Sequence, residues 1–449
     1  MLPQGFPSLP ARADFPAGFV FGLSAAAYQI EGTAGAGPCH WDSFAATPGS
    51  VRGGVNGRQA CGHRVLFPQD LDLAAAAGVD AWRFSTSWAR LQPEGPESFS
   101  ERGLAFYDRL VDGICARGMK PALTLYHGEL PAWAADRGGW ANRDTALRLA
   151  DLAAQVGARL GDRLWSAAPV NAPAELAWAG HFHGRHAPGL RDIRAASRAL
   201  HHALLAQGLG VQALRAAAGP QIGAVLDFTQ LLPADERPAA AEATARHDLM
   251  QHRAVLGPLF GQGYPAALLE ALGPHLPRRA EADLDTIAQP LDWLGVSYHT
   301  RRLVAPANAP WPALSTGPGT RPTCVLGRES APEGLLERLV WLRDTLTGDL
   351  PLIVTENGMA APDRQRDGDG MILDADRVLF LAEHLDACRE AIAEGVPLAG
   401  YMIRSLLDGF EWEAGFSAGF GLVEVDHDSL QRRPKASYHA VTAALGRRV

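Results

Sequence analysis

Short apolar runs alternate with longer stretches of helical spacing along the whole chain. Eight runs read as strands: 19–25 (FVFGLSA), 80–86 (DAWRFST), 120–127 (KPALTLYH), 164–171 (LWSAAPVN), 221–228 (QIGAVLDF), 292–299 (DWLGVSYH), 351–356 (PLIVTE) and 397–405 (PLAGYMIRS). Helical spacing fills segments such as 100–117, 143–160 and 376–394, the first with Ser100 as N-cap and Gly118 just past its end. Apolar strands separated by helices predict a parallel sheet covered on its outer side. Eight such units suggest a closed (β/α)₈ TIM barrel, with an open doubly wound sheet as the alternative from pattern alone. No short repeat or low-complexity linker divides the chain, so residues 1–449 are expected to form one barrel domain. The Pro/Gly-rich stretch 305–334 reads as a long loop, a lid over a site.

Polar and aromatic residues gather at the C-terminal ends of the predicted strands: Gln29, His127, Asn171, Tyr298, His299 and Glu356. A parallel barrel brings those ends to one face, where residues distant in sequence surround one pocket. A single histidine at a strand end is commonly structural; recurrence at strand after strand favours a site.

Composition narrows the partners. A formal net charge of -8 argues against nucleic acid or an anionic membrane as partner. No apolar run spans a bilayer, and the start MLPQGFPSLPARADF lacks the apolar core of a signal peptide. The five cysteines (Cys39, Cys61, Cys115, Cys324, Cys388) are widely spaced, without the pairing of a zinc site or a disulfide framework. Reduced thiols in a cytoplasmic protein are the simplest reading. His63, His127, His299 and the pair His201-His202 have no metal-ligand spacing, and the glycines at 367–370 form no nucleotide loop, so no metal or cofactor is expected.

Five segments carry a specific resemblance. They are FPAGFVFGLSAAAYQIEG at 15–32, WRFSTSWARLQPEG at 82–95, TLYHGELPAW at 124–133, VTENG at 354–358 and SLLDGFEW at 405–412. In this order, over nearly the full length, the chain resembles glycoside hydrolase family 1, the β-glucosidase family. The resemblance implies a retaining β-glycosidase acting on a small-molecule β-glycoside or oligosaccharide. Such an enzyme needs two carboxyl groups roughly 5–5.5 Å apart, one to attack the anomeric carbon and one to protonate the leaving oxygen. Glu356 matches the nucleophile, and Asn171 the residue that holds the sugar 2-hydroxyl. Gln29, His127, Glu411 and Trp412 match residues that hold the ring.

Where the family has Asn-Glu-Pro after the fourth strand, this chain has Asn171-Ala172-Pro173. Ala172 therefore marks the place of an acid/base that has no proton to give. Glu175, three residues on, is expected to point elsewhere. A deliberate Glu→Ala exchange and natural divergence both fit; the family-like HFHGRHAPG at 181–189 favours the first.

The pocket departs from the family elsewhere. Gly128 and Arg404 stand where tryptophans are usual, and His299, beside Tyr298, stands where a tyrosine is. Arg64 and Arg328 replace a tyrosine and a tryptophan. Loss of two tryptophans is expected to leave room in the pocket. Arg64, Arg328 and Arg404 together suggest an anionic group on the ligand, a reading that the retained Glu411 tempers for a 6-phosphosugar. The rivals are a non-catalytic glycan-binding protein on a glycosidase fold and a natural divergent enzyme with its own acid, such as His299. Oligomeric state is not legible.

Overall fold

Runs rich in Val, Ile, Leu and aromatic residues extend the chain, and the amphipathic segments between them supply the crossovers that parallel strands require. The computed structural model describes residues 5–217 and 219–446. Its strands are β1 Val20–Ser24, β2 Ala81–Ser85, β3 Lys120–Tyr126, β4 Ser166–Val170, β5 Gln221–Pro233, β6 Trp293–Pro306, β7 Leu314–Gly317, β8 Leu352–Asn357 and β9 Leu398–Arg404. Parallel pairing runs from β1 through β6 in order, then to β8 and β9, and β9 pairs back onto β1. Eight parallel strands thus close into a (β/α)₈ barrel, and all eight predicted runs fall on them.

The helices follow from local signals. Glu101–Ala116 starts where the Ser100 hydroxyl accepts a hydrogen bond from the Gly103 amide at 3.2 Å. It buries Leu104, Tyr107, Leu110, Val111 and Ile114 at helical spacing against the barrel. Arg143–Leu160 and Ala375–Ala393 occupy the other two predicted segments. Inside the barrel, Val20, Ala81, Ala168, Val225, Trp293, Ile353 and Met402 form a separate apolar plug. The barrel is therefore a packed core whose open end lies beyond the strand C-termini.

The stretch 305–334 is not simply a loop. β6 continues to Pro306 and pairs antiparallel with β7, and a further bridge joins Thr323 to Glu329. β6 runs past the barrel rim through Thr300-Arg301-Arg302-Leu303-Val304, paired with β5, which runs alongside to Pro233. The short strands Val423–Val425 and Arg432–Pro434 also escaped the sequence reading. Among the described residues no helix is long and apolar enough to cross a membrane, and all five cysteines are free thiols.

Candidate active site

The strand ends converge on Glu356. It sits one residue before the end of β8, 4% exposed. From β2, Arg83 donates to its Oε1 at 2.6 Å and, through the other guanidinium nitrogen, to Asn171 Oδ1 at 2.7 Å. Asn171 follows β4 and sets its Nδ2 3.2 Å from His127 Nε2, which lies 3.7 Å from Glu356. From β9, Arg404 donates to Glu356 Oε2 at 3.2 Å and to Glu411 Oε2 at 2.7 Å. Glu356, Arg83, Asn171 and His127 thus close a circuit over the ends of four strands, and Arg404 and Glu411 branch from it.

These contacts set the protonation states. Burial alone would push the Glu356 carboxyl up, but its cationic surroundings outweigh that and hold it well below the usual carboxylate range. Arg83 and Arg404 carry this effect near neutrality, because burial keeps His127 uncharged, lowered to about 3. Glu356 is thus an ionised carboxylate in a buried site. Glu411 goes the other way: burial raises its carboxyl despite the adjoining Arg404.

The sugar-facing side is assembled from distant segments. Gln29 lies in the short helix Ala27–Ile30 and donates to the Phe410 carbonyl at 2.7 Å, which ties the β1 loop to the segment carrying Glu411. Gln29, His127, Glu356, Arg404 and Glu411 line one cleft. Trp412 stacks on Trp41 at 4.6 Å between ring centroids. A Cβ added to Gly128 would meet the Trp412 ring at 2.9 Å. The expected opening at 128 and 404 is therefore filled: Trp412 lies over Gly128, and the Arg404 guanidinium bridges the two glutamates.

Ala172 caps the helix Pro173–Ala177 in the left-handed region, with φ 45°. That conformation costs about 1–2 kcal/mol for any residue with a Cβ, so a glutamate there meets no new backbone penalty. Ala172 lines a second cavity together with Asp227, Gln251 and His252. Glu175 lies 3.7 Å from Arg185 and 3.9 Å from His186, and its charge reaches Asp227.

Several sequence-derived candidates part company here. Tyr298 does not face the pocket. Strand alternation turns it outward, where its hydroxyl donates to the Ala331 carbonyl at 2.8 Å and its ring meets His384. His299, the next residue, faces inward, 3.9 Å from Asp227. Tyr298→Phe is expected to cost about 1 kcal/mol in urea unfolding, with turnover unchanged. A loss of turnover would return Tyr298 to the site. Arg64, near the start of the helix His63–Ala76, lines neither cavity. Arg328 lies near the pocket, close enough for its charge to act on Asp227 and His299. Arg404 is already paired with two carboxylates, so the three arginines form no common anion site.

Arg83 and Asp227 were overlooked as site residues. Arg83 stood inside a quoted motif, and a cation in an otherwise apolar strand needs a buried partner. Asp227 is the next-to-last residue of the apolar run QIGAVLDF, the same signal in acidic form.

Comparison with known proteins gives the family. The family model for glycosyl hydrolase family 1 matches residues 11–445. A β-glucosidase of Agrobacterium sp. is 40% identical over 441 residues, covering 95% of this chain and 94% of that relative. β-Glucosidase A of Thermotoga maritima is 36% identical, with 94% and 96% coverage. The structure of the family 1 β-glucosidase from Thermotoga maritima superposes with a TM-score of 0.93 at 34% identity, covering 98% of each chain. A second structure of it, in complex with isofagomine lactam, gives 0.92. With barrel and sequence matched from end to end, the chain belongs to glycosyl hydrolase family 1.

Proposed function

We propose that the chain is a retaining β-glycosidase of the β-glucosidase type whose acid/base position is vacant. The carrying observation is Glu356, a buried carboxylate kept ionised by Arg83 and Arg404 at the C-terminal face of the barrel. Its role is to attack the anomeric carbon and form a glycosyl ester. Asn171, fixed by Arg83, holds the sugar 2-hydroxyl. His127 uses Nε2 toward Asn171, and its Nδ1 has no partner among the described residues, which leaves it for a sugar hydroxyl. Gln29, Glu411 and Trp412 complete the ring subsite; Arg404 and His299 border it. The Thermotoga maritima relative binds isofagomine lactam, which supports a small sugar-like ligand here. We place the protein in the cytoplasm as a one-barrel enzyme, on its free thiols.

Activated aryl β-glucosides need little help in leaving, so they should form the ester, which water then hydrolyses slowly. Added azide needs no general base. With azide, turnover should rise and β-glucosyl azide should accumulate, as read by chromatography and NMR. Formation of neither the azide adduct nor free sugar would sink the reading for glucosides.

One observation favours a second, non-catalytic reading. Arg404 bridges Glu356 and Glu411 across the sugar cleft, an arrangement suited to holding a glycan without turning it over. Saturable sugar binding with Glu356 left unlabelled by an activated 2-fluoro glycoside would favour it. The rival histidine acid is weakened: burial, with Arg328 and Arg404 beside it, lowers His299 to about 3, so it carries no acidic proton near neutrality.

A further inference from the structure

Position 172 leaves the leaving-group side of the pocket without its usual proton source, yet that side is not empty of carboxyls. Asp227 lines the same cavity as Ala172. Ala172 is tied to β5 by its amide, which donates to the Val225 carbonyl at 2.9 Å, two residues before Asp227. Asp227 and Glu356 flank β6 at one level: both register with Ser297. Two strand spacings put their backbones roughly 10 Å apart. His299 Nε2 is 3.9 Å from Asp227 Oδ1, and its imidazole is near enough to act on Glu356.

We propose that Asp227 is the proton donor and acceptor of this chain, acting in place of a residue at position 172.

The proposal rests on Glu356 as nucleophile. In the first step Glu356 Oε attacks C1 of the glycoside. The C1–O bond breaks, its electron pair goes to the departing oxygen, and the Asp227 carboxyl proton goes to that oxygen. In the second step water attacks C1 and gives a proton to the Asp227 carboxylate. The C1–Oε bond breaks and its electrons return to Glu356. The sum is glycoside plus water giving sugar plus alcohol.

The surroundings suit this role. The Asp227 side chain is 22% exposed, open enough to meet a ligand. Gln251 offers it only a long contact at 3.5 Å, and no arginine within 4 Å holds it ionised among the described residues. Burial raises its carboxyl to about 8, with the Glu175 and Glu356 charges adding and Arg328 and Arg404 opposing. Facing groups also include His299 and His252, both kept neutral by burial. Asp227 is thus protonated at neutral pH while Glu356 is ionised, the division of labour that two-carboxylate catalysis requires.

The test compares the protein with Asp227→Asn, which keeps size and hydrogen bonding. For an alkyl β-glucoside, kcat/KM should fall about 10-fold or more, below the 10²–10⁴ typical of an ideally placed acid. For an activated aryl β-glucoside, ester formation should change little. The parent's loss of activity as pH rises through about 8 should vanish in the variant. Stoichiometric labelling of Glu356 by an activated 2-fluoro glucoside counts folded sites in both proteins. Labelling intact with the alkyl rate and pH profile unchanged overturns the role of Asp227 alone. No labelling in the parent overturns both this role and Glu356 as nucleophile. Labelling lost only in the variant overturns the proposal too, because it assigns Asp227 to structure.

Discussion

Ala172→Glu should raise turnover of unactivated β-glycosides by at least about 10²-fold. The residue lines a cavity that it shares with Asp227. The left-handed backbone at 172 is already a cost the fold bears, so the exchange should leave stability within about 0.5–1 kcal/mol. The gain should depend on the leaving group. Alkyl glycosides, whose oxygen leaves poorly without a proton, should gain most; activated aryl glycosides should gain mainly in ester hydrolysis, where a base is needed. A plot of log kcat/KM against leaving-group pKa should therefore be steep for the parent and flatter for the variant. Azide should lose its effect, because water then meets a better-placed base than Asp227. No gain on alkyl substrates would show that more than a proton source is absent, with Arg404 the first suspect. Two carboxyls would then share one cavity, and their mutual repulsion would keep one protonated.

The barrel was legible because its signal is repeated. Each strand is an apolar run long enough to stand out, and each helix has a cap or a stripe. The errors arise where one residue of period decides the outcome. Tyr298 and His299 are neighbours on β6, and only the pleat tells which one faces the pocket. Neither propensity nor motif fixed that phase. Gly128 was read as an opening, but whether space left by a small residue stays open depends on what lies across it, here the Trp412 ring. Arg404 was read as a free cation for the same reason: its partners, Glu356 and Glu411, come from a strand and a loop whose approach only the closed barrel defines. Asp227 matters through Ala172, and that adjacency is a consequence of β4–β5 pairing. Charge at a strand end was visible throughout; the identity of its partner was not.

Removing the nucleophile should have the largest effect of all. Glu356→Ala deletes the covalent route, and turnover should fall by at least about 10⁴-fold, about 5.5 kcal/mol in barrier at 1.36 kcal/mol per decade. The same change strips Arg83 and Arg404 of a buried carboxylate. Breaking one side of a buried ion pair costs about 3–5 kcal/mol, so Glu356→Ala should also unfold at lower urea concentration. Glu356→Gln keeps an acceptor for Arg83 and should lose activity with a smaller stability loss, which separates chemistry from folding. The stereochemistry of azide rescue then decides the mechanism. In the parent, Glu356 inverts C1 once and azide inverts it again, giving a β-glycosyl azide. In Glu356→Ala, azide fills the carboxylate's place and attacks C1 directly, giving an α-glycosyl azide from the same activated β-glycoside. NMR coupling at the anomeric proton distinguishes the two. An α product confined to Glu356→Ala ties the first inversion to this carboxylate. A β product from both proteins would place the nucleophile elsewhere.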